Sequence, residues 1–66
     1  MSADNAIAVK KVKDKWKVKM VFLSDDNYDK SRNFRDAEVF ESEESALRRA
    51  FELEEKEYVE YGVIKL

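Results

Sequence analysis

Sixty-six residues make one domain with a small core, which in a chain this short yields no more than roughly 3–5 kcal/mol. With neither cysteine nor histidine in the chain, disulfides, thiolate or imidazole metal ligands and the commonest general base are excluded, and the expectation is a non-enzyme with no cofactor and no metal. The net charge of −2 is unevenly placed: residues 1–23 carry six lysines against Asp4 and Asp14, a net of +4, and residues 24–66 a net of −6.

Residues 1–5 are polar and are expected to be disordered. Residues 6–13 predict a first strand whose alternation slips. Ile7 and Val9 share a face, and Val12 rejoins them only through a bulge at Lys10 and Lys11. Asp14, between Lys13 and Lys15, fits a hairpin tip. Residues 16–23 are the clearest strand: Trp16, Val18, Met20 and Phe22 alternate with Lys17, Lys19, Val21 and Leu23, and the first set should face a helix. A polar loop over 24–33 leads to a third strand over 34–41, with Ala37 and Val39 facing inward. Setting Leu23 opposite Phe34 pairs Val21 with Asp36, Lys19 with Glu38 and Val18 with Val39, and puts Arg35 inside next to Phe22.

The spacing then predicts a helix over 42–61, with Ala46, Leu47, Ala50, Phe51, Leu53 and Tyr58 on one stripe. Ser42 is its N-cap, Glu43 and Glu44 sit at the positive end of its dipole, and Gly62 supplies a left-handed C-cap. Residues 63–66 form a last strand that returns parallel to the first, giving sheet order 3-2-1-4. The expected fold is α+β: a three-stranded antiparallel sheet, one helix packed on one face, and a short fourth strand. The expected core is Ile7, Val9, Trp16, Val18, Met20, Phe22, Val39, Ala46, Leu47, Ala50, Phe51, Tyr58 and Ile64. One helix covers one sheet face, so Val21, Leu23, Phe34 and Phe40 should form an apolar corner on the open face.

Three constellations carry candidate chemistry. Lys10, Lys11, Lys13, Lys15, Lys17 and Lys19, with Trp16 among them, suit nucleic-acid phosphates; the plainer account is a solvated sheet face. Asp25, Asn27, Asp29 and Asp36 have the spacing of a calcium loop, but Lys30 stands where that loop needs glycine. Glu52, Glu54, Glu55, Glu57 and Glu60 read as a solvated helix face or as a surface for a basic partner. No apolar run approaches the ~20 residues of a membrane span and no hydrophobic signal segment opens the chain, so a cytoplasmic address is expected.

The strand KWKVKMVF, the segment VFESEESALRRAF and the ending YGVIKL resemble small phage-encoded host-takeover proteins such as the inhibitors of bacterial RNA polymerase. The resemblance covers about 50 residues and implies a tiny, charged, non-enzymatic protein that wedges against a host protein. The layout of three strands and a helix is also similar to the arm-type DNA-binding domains of phage integrases, which would favour the lysine hairpin. The favoured function is a protein-binding module, an inhibitor or adaptor acting on a host or cellular protein as a monomer or weak dimer. Its expected contact residues are Val21, Leu23 and Phe34 at the centre, Lys17 and Lys19 at the rim and Tyr28 at the loop tip. The alternative is a small nucleic-acid-binding module that uses the lysine hairpin.

Overall fold

The computed structural model describes residues 4–66. Four strands and one α-helix follow in order: β1 (Asn5–Val12), β2 (Lys15–Phe22), β3 (Glu38–Phe40), α1 (Glu43–Lys56) and β4 (Val63–Lys65), with a 3-10 turn at Ser31–Phe34 between β2 and β3. The sheet is mixed and open, in the order β3-β2-β1-β4. Its first three strands are antiparallel neighbours, and β4 runs parallel to β1 with Ile7 opposite Val63. The α+β class, the strand order and the parallel return agree with expectation.

The β1–β2 hairpin keeps one unbroken register from Asn5↔Phe22 to Val12↔Lys15. The bulge at Lys10 and Lys11 that would return Val12 to the face of Ile7 and Val9 is therefore absent. Val12 falls on the face away from the helix, and Lys11 sits beside Trp16 with its ammonium 5.1 Å from the ring centroid. Lys13 takes φ 60 in the two-residue turn, a left-handed conformation more often given to glycine or asparagine.

On one sheet face Ile7, Val9 and Val18 pack against Ala46 and Ala50 of α1, with Trp16, Met20, Phe40, Leu47, Leu53, Val59 and Val63 around them. The two alanines let the helix backbone lie close to the sheet. That choice of contact stripe turns Phe51 out to solvent, one residue beyond the buried line. Ser42 caps the helix by accepting a hydrogen bond from the Ser45 amide at 3.2 Å. The helix ends at Lys56 and not at residue 61, because Glu57 is already extended. Gly62, with φ 71, serves the entry to β4 and not the helix cap, and its carbonyl accepts from the Ile7 amide.

The second sheet face is not open. Residues 24–37 fold back over it, and Phe34 is fully buried with Ala6, Ala8 and Val21, flanked by Leu23, Tyr28, Ala37 and Ile64. The molecule thus has three layers, and β1 is covered on both faces.

Several expectations are corrected. The third strand is three residues long, because Phe34 is drawn into the second core and residues 35–37 must climb back to the sheet edge. Its register is Trp16↔Phe40, Lys17↔Val39 and Val18↔Glu38, one residue away from the expected pairing, which reverses the facing of every β3 side chain. Val39 accordingly points away from the helix and is exposed, and Arg35 is exposed, not packed beside Phe22. Phe22, Phe51 and Tyr58, expected in the core, are exposed as well. Of the N-terminal residues expected to be disordered, Met1–Ala3 lie outside the described residues. Asp4 and Asn5 are fixed: the Asp4 carbonyl accepts from the Leu23 amide at 2.8 Å, and its carboxylate accepts from the Ser24 amide at 2.9 Å.

Candidate interaction surface

Asn5 opens β1 as the single buried polar side chain among the described residues, and a buried carboxamide has to be hydrogen-bonded. Its side-chain nitrogen lies 3.7 Å from the Met20 sulfur of β2, and its shorter hydrogen bonds go to the stretch that links α1 to β4. The Asn5 amide nitrogen donates to the Tyr58 carbonyl at 2.8 Å, and its side-chain oxygen accepts from the Glu60 amide at 3.0 Å. The Asn5 main-chain carbonyl accepts from the Tyr61 amide at 3.1 Å. Residues 58–61 are thus pinned to the first strand by three bonds to one residue.

That anchoring holds aromatic side chains out in solvent. Tyr58 is 86% exposed, Tyr61 57% and Phe22, the cross-strand neighbour of Asn5, 55%. Phe51 is 53% exposed on the helix that leads into the pinned stretch. Single exposed apolar residues are ordinary, but three aromatics placed around one buried anchor form a feature of the surface.

Charge is distributed unequally around it. Glu38 and Glu52 pair with Arg49, Glu41 with Lys15, Asp36 with Lys19, Glu43 with Lys65 and Glu44 with Arg48. Among the described residues, Glu54, Glu55, Glu57 and Glu60 have no cation in ion-pair contact, and neither do Asp4, Asp14, Asp25, Asp26 and Asp29. Glu54, Glu55 and Glu57 also stand at the C-terminal end of α1, where the helix dipole favours positive charge and only Lys56 provides it.

The residues expected at a docking site lie elsewhere. Val21 and Phe34 are buried in the second core, and Leu23 and Tyr28 are half-buried against it, so the open apolar face expected at those positions does not exist. Lys17 and Lys19, expected at a binding rim, tie the covering segment down. The Lys17 ammonium donates to the Phe34 carbonyl at 3.2 Å. The Lys19 ammonium donates to the Asn33 carbonyl at 2.6 Å and to Asp36 at 3.2 Å. The hydrogen bond from Lys19 holds the Asp36 carboxyl below its ordinary value, and the one from Ser24 does the same for Asp4.

The six hairpin lysines do not form one patch. Lys11 lies on the helix side over Trp16, Lys15 is 2.6 Å from Glu41, and Lys17 and Lys19 are engaged as above; Lys10 and Lys13 have no partner among the described residues. In the loop, the Asp25 carboxylate accepts from the Asn27 amide at 2.9 Å, and the Asn27 side-chain oxygen accepts from Arg32 at 2.8 Å. Both oxygens therefore serve turns inside the loop. Among the described residues no cavity opens, and no helix is long and apolar enough to cross a membrane.

The covering segment and the aromatic surface escape sequence reasoning for different reasons. Ala6 and Ala8 alternate on the outer face of β1, and small side chains there are the signal that another layer approaches closely. For Tyr58 and Tyr61 the signal is the glutamates at 54, 55, 57 and 60 before and between them, which suit a solvated segment better than a helix stripe. Comparison with family models, with curated proteins and with solved structures finds no match to this chain.

Proposed function

We propose that the chain is a non-enzymatic protein-binding module, acting in the cytoplasm as an inhibitor or adaptor of the kind that the resemblance to phage-encoded host-takeover proteins implies. The contact surface is the helix-to-β4 end, not the sheet face. The observation that supports this is the set of exposed aromatics, Phe22, Tyr58 and Tyr61, held around the buried Asn5 anchor. The bonds to Asn5 fix the main chain that carries Tyr58 and Tyr61, which lowers the backbone entropy lost on docking, and aromatic residues are enriched among the side chains that dominate interface energy. The nucleic-acid alternative retains Lys10 and Lys13 as its uncommitted cations, since the other four hairpin lysines serve the fold.

The test is capture of a discrete partner by the tagged chain from its own cells, with Tyr58→Ala and Tyr61→Ala combined in one variant. The variant should keep its melting temperature within a few degrees, because both rings are already in solvent, and should lose the partner. A partner retained by this variant, or capture that instead follows Lys10→Ala with Lys13→Ala and competes with nucleic acid at low salt, would sink the proposal.

A further inference from the structure

We infer that β4 is a docking edge for a second copy of this chain, the two β4 strands pairing antiparallel about a two-fold axis at Ile64 to join two sheets into one. This edge is separate from the aromatic end that carries the function proposed above. The Ile7 amide donates to the Gly62 carbonyl and the Leu66 amide to the Val9 carbonyl, each at 2.9 Å. Strand groups alternate in direction, so residues 62, 64 and 66 face β1, while Val63 and Lys65 turn their amides and carbonyls outward. β4 is the last strand of the sheet, and among the described residues no side chain or loop bonds those four groups. A further extended strand is the partner whose donors and acceptors match all four.

The two edges of the sheet are not alike. β3 lies in the run DAEVFE, where Asp36, Glu38 and Glu41 would meet the same acids of a second copy, and charges of this kind blunt an edge. β4 lies in YGVIKL, whose one charge, Lys65, is drawn along the helix side to Glu43 at 3.5 Å. The residues of β4 also select the occupant and its register. With Ile64 opposite Ile64, Val63 of each copy exchanges both main-chain bonds with Lys65 of the other, which uses every outward group. Val63 then meets the aliphatic stem of Lys65 on the helix side. Leu66, 41% exposed, falls opposite Gly62, where no side chain competes for the space. Centring the pair on Lys65 would set two ammonium groups directly opposite. Centring it on Val63 would oppose Lys65 to Tyr61, whose amide is already bonded to the Asn5 carbonyl. The strand is therefore complementary to itself in one register. Two three-residue strands make a small contact, so the dimer is weak, forming at about 0.1–1 mM.

The experiment follows the intact chain by sedimentation velocity and amide NMR from about 0.05 to 1 mM. The apparent mass should rise towards twice that of the chain, with shifts concentrated at Val63, Ile64 and Lys65. A mixed sample of labelled and unlabelled chain should give an intermolecular NOE between the Ile64 α protons, which the non-hydrogen-bonded position brings together. Lys65→Pro removes an outward amide without touching the bonds to β1 and should weaken association on the order of tenfold or more. Lys65→Ala keeps that amide and should associate within about twofold of the unaltered chain. Leu66→Asp, at a residue already partly in solvent, should also weaken association and serves if Lys65→Pro lowers the melting temperature. A chain that stays monomeric at about 1 mM, shifts that gather at β3 or at Tyr58, or a folded Lys65→Pro variant that associates unchanged would each overturn the inference. An edge that pairs only with a strand of a different protein would overturn it as well, and would leave the protein-binding function standing.

Discussion

Truncating Phe34 to alanine is expected to cost about 3–5 kcal/mol, comparable to the whole stability of a chain this size, because the ring is fully buried against Ala6, Ala8 and Val21. Phe51→Ala should cost less than about 1 kcal/mol, since its ring is half in water before the change. Urea denaturation of the two variants compares them directly, and the opposite ranking would mean that the covering segment contributes little. The two phenylalanines also show what is legible in a sequence. Periodicity picks out Phe51 because it follows Ala46, Leu47 and Ala50 at helical steps, yet a broad apolar arc does not say which part of it touches the sheet. Phe34 is surrounded by Asn33, Arg35 and Asp36, and its burial depends on a chain reversal that no local pattern announces.

At the scale of elements, the segment 24–37 takes the place of a second helix as the outer layer. It is held by a short apolar contact and by polar ties, Lys17 and Lys19 to its carbonyls and Asp4 to Ser24. The Asp36 and Asp4 carboxyls are both held below the ordinary 3.8 by their hydrogen bonds. Such a lowered group contributes stability that is present above its unfolded value and is lost as pH falls through the folded one. Acidification below about pH 4 should therefore loosen this layer while the helix side persists. Side-chain NMR shifts of Tyr28 and Phe34 should move before those of Ile7 and Ala46; simultaneous loss would show that the layers unfold as one. The strand order was legible because β1, β2 and α1 carry strong periodic signals. The pairing of β3 was not, since three residues with Glu38 and Phe40 on one face and Val39 on the other give too little alternation to fix a register.

For the whole molecule, β1 is the element on which both layers depend. Residues Asn5 to Val9 are all buried, with β2 and β4 on either side and a core above and below. Hydrogen exchange should find the amides of Ile7, Ala8 and Val9 the slowest in the chain, with those of residues 24–37 exchanging faster. Slower exchange in α1 than in β1 would contradict this order. The sequence placed β1 correctly at the centre of the sheet but assigned it one buried face. Ala6 and Ala8 read as weak strand positions until the layer above them is known. The aromatic surface was missed at this scale too: a helix continued to residue 61 hides Tyr58 in the core, whereas the bonds from Asn5 end that continuation.

The contact between Phe34 and the alanines of β1 also limits how this fold can drift. Two methyl groups and one ring share a space of fixed volume, so a larger residue at Ala6 or Ala8 is admissible only if position 34 shrinks in step. Substitutions at these sites should therefore be accepted in pairs and rejected singly. A diverged copy of the chain is then better sought by the combined bulk of positions 6, 8 and 34 than by residue identity at any one of them.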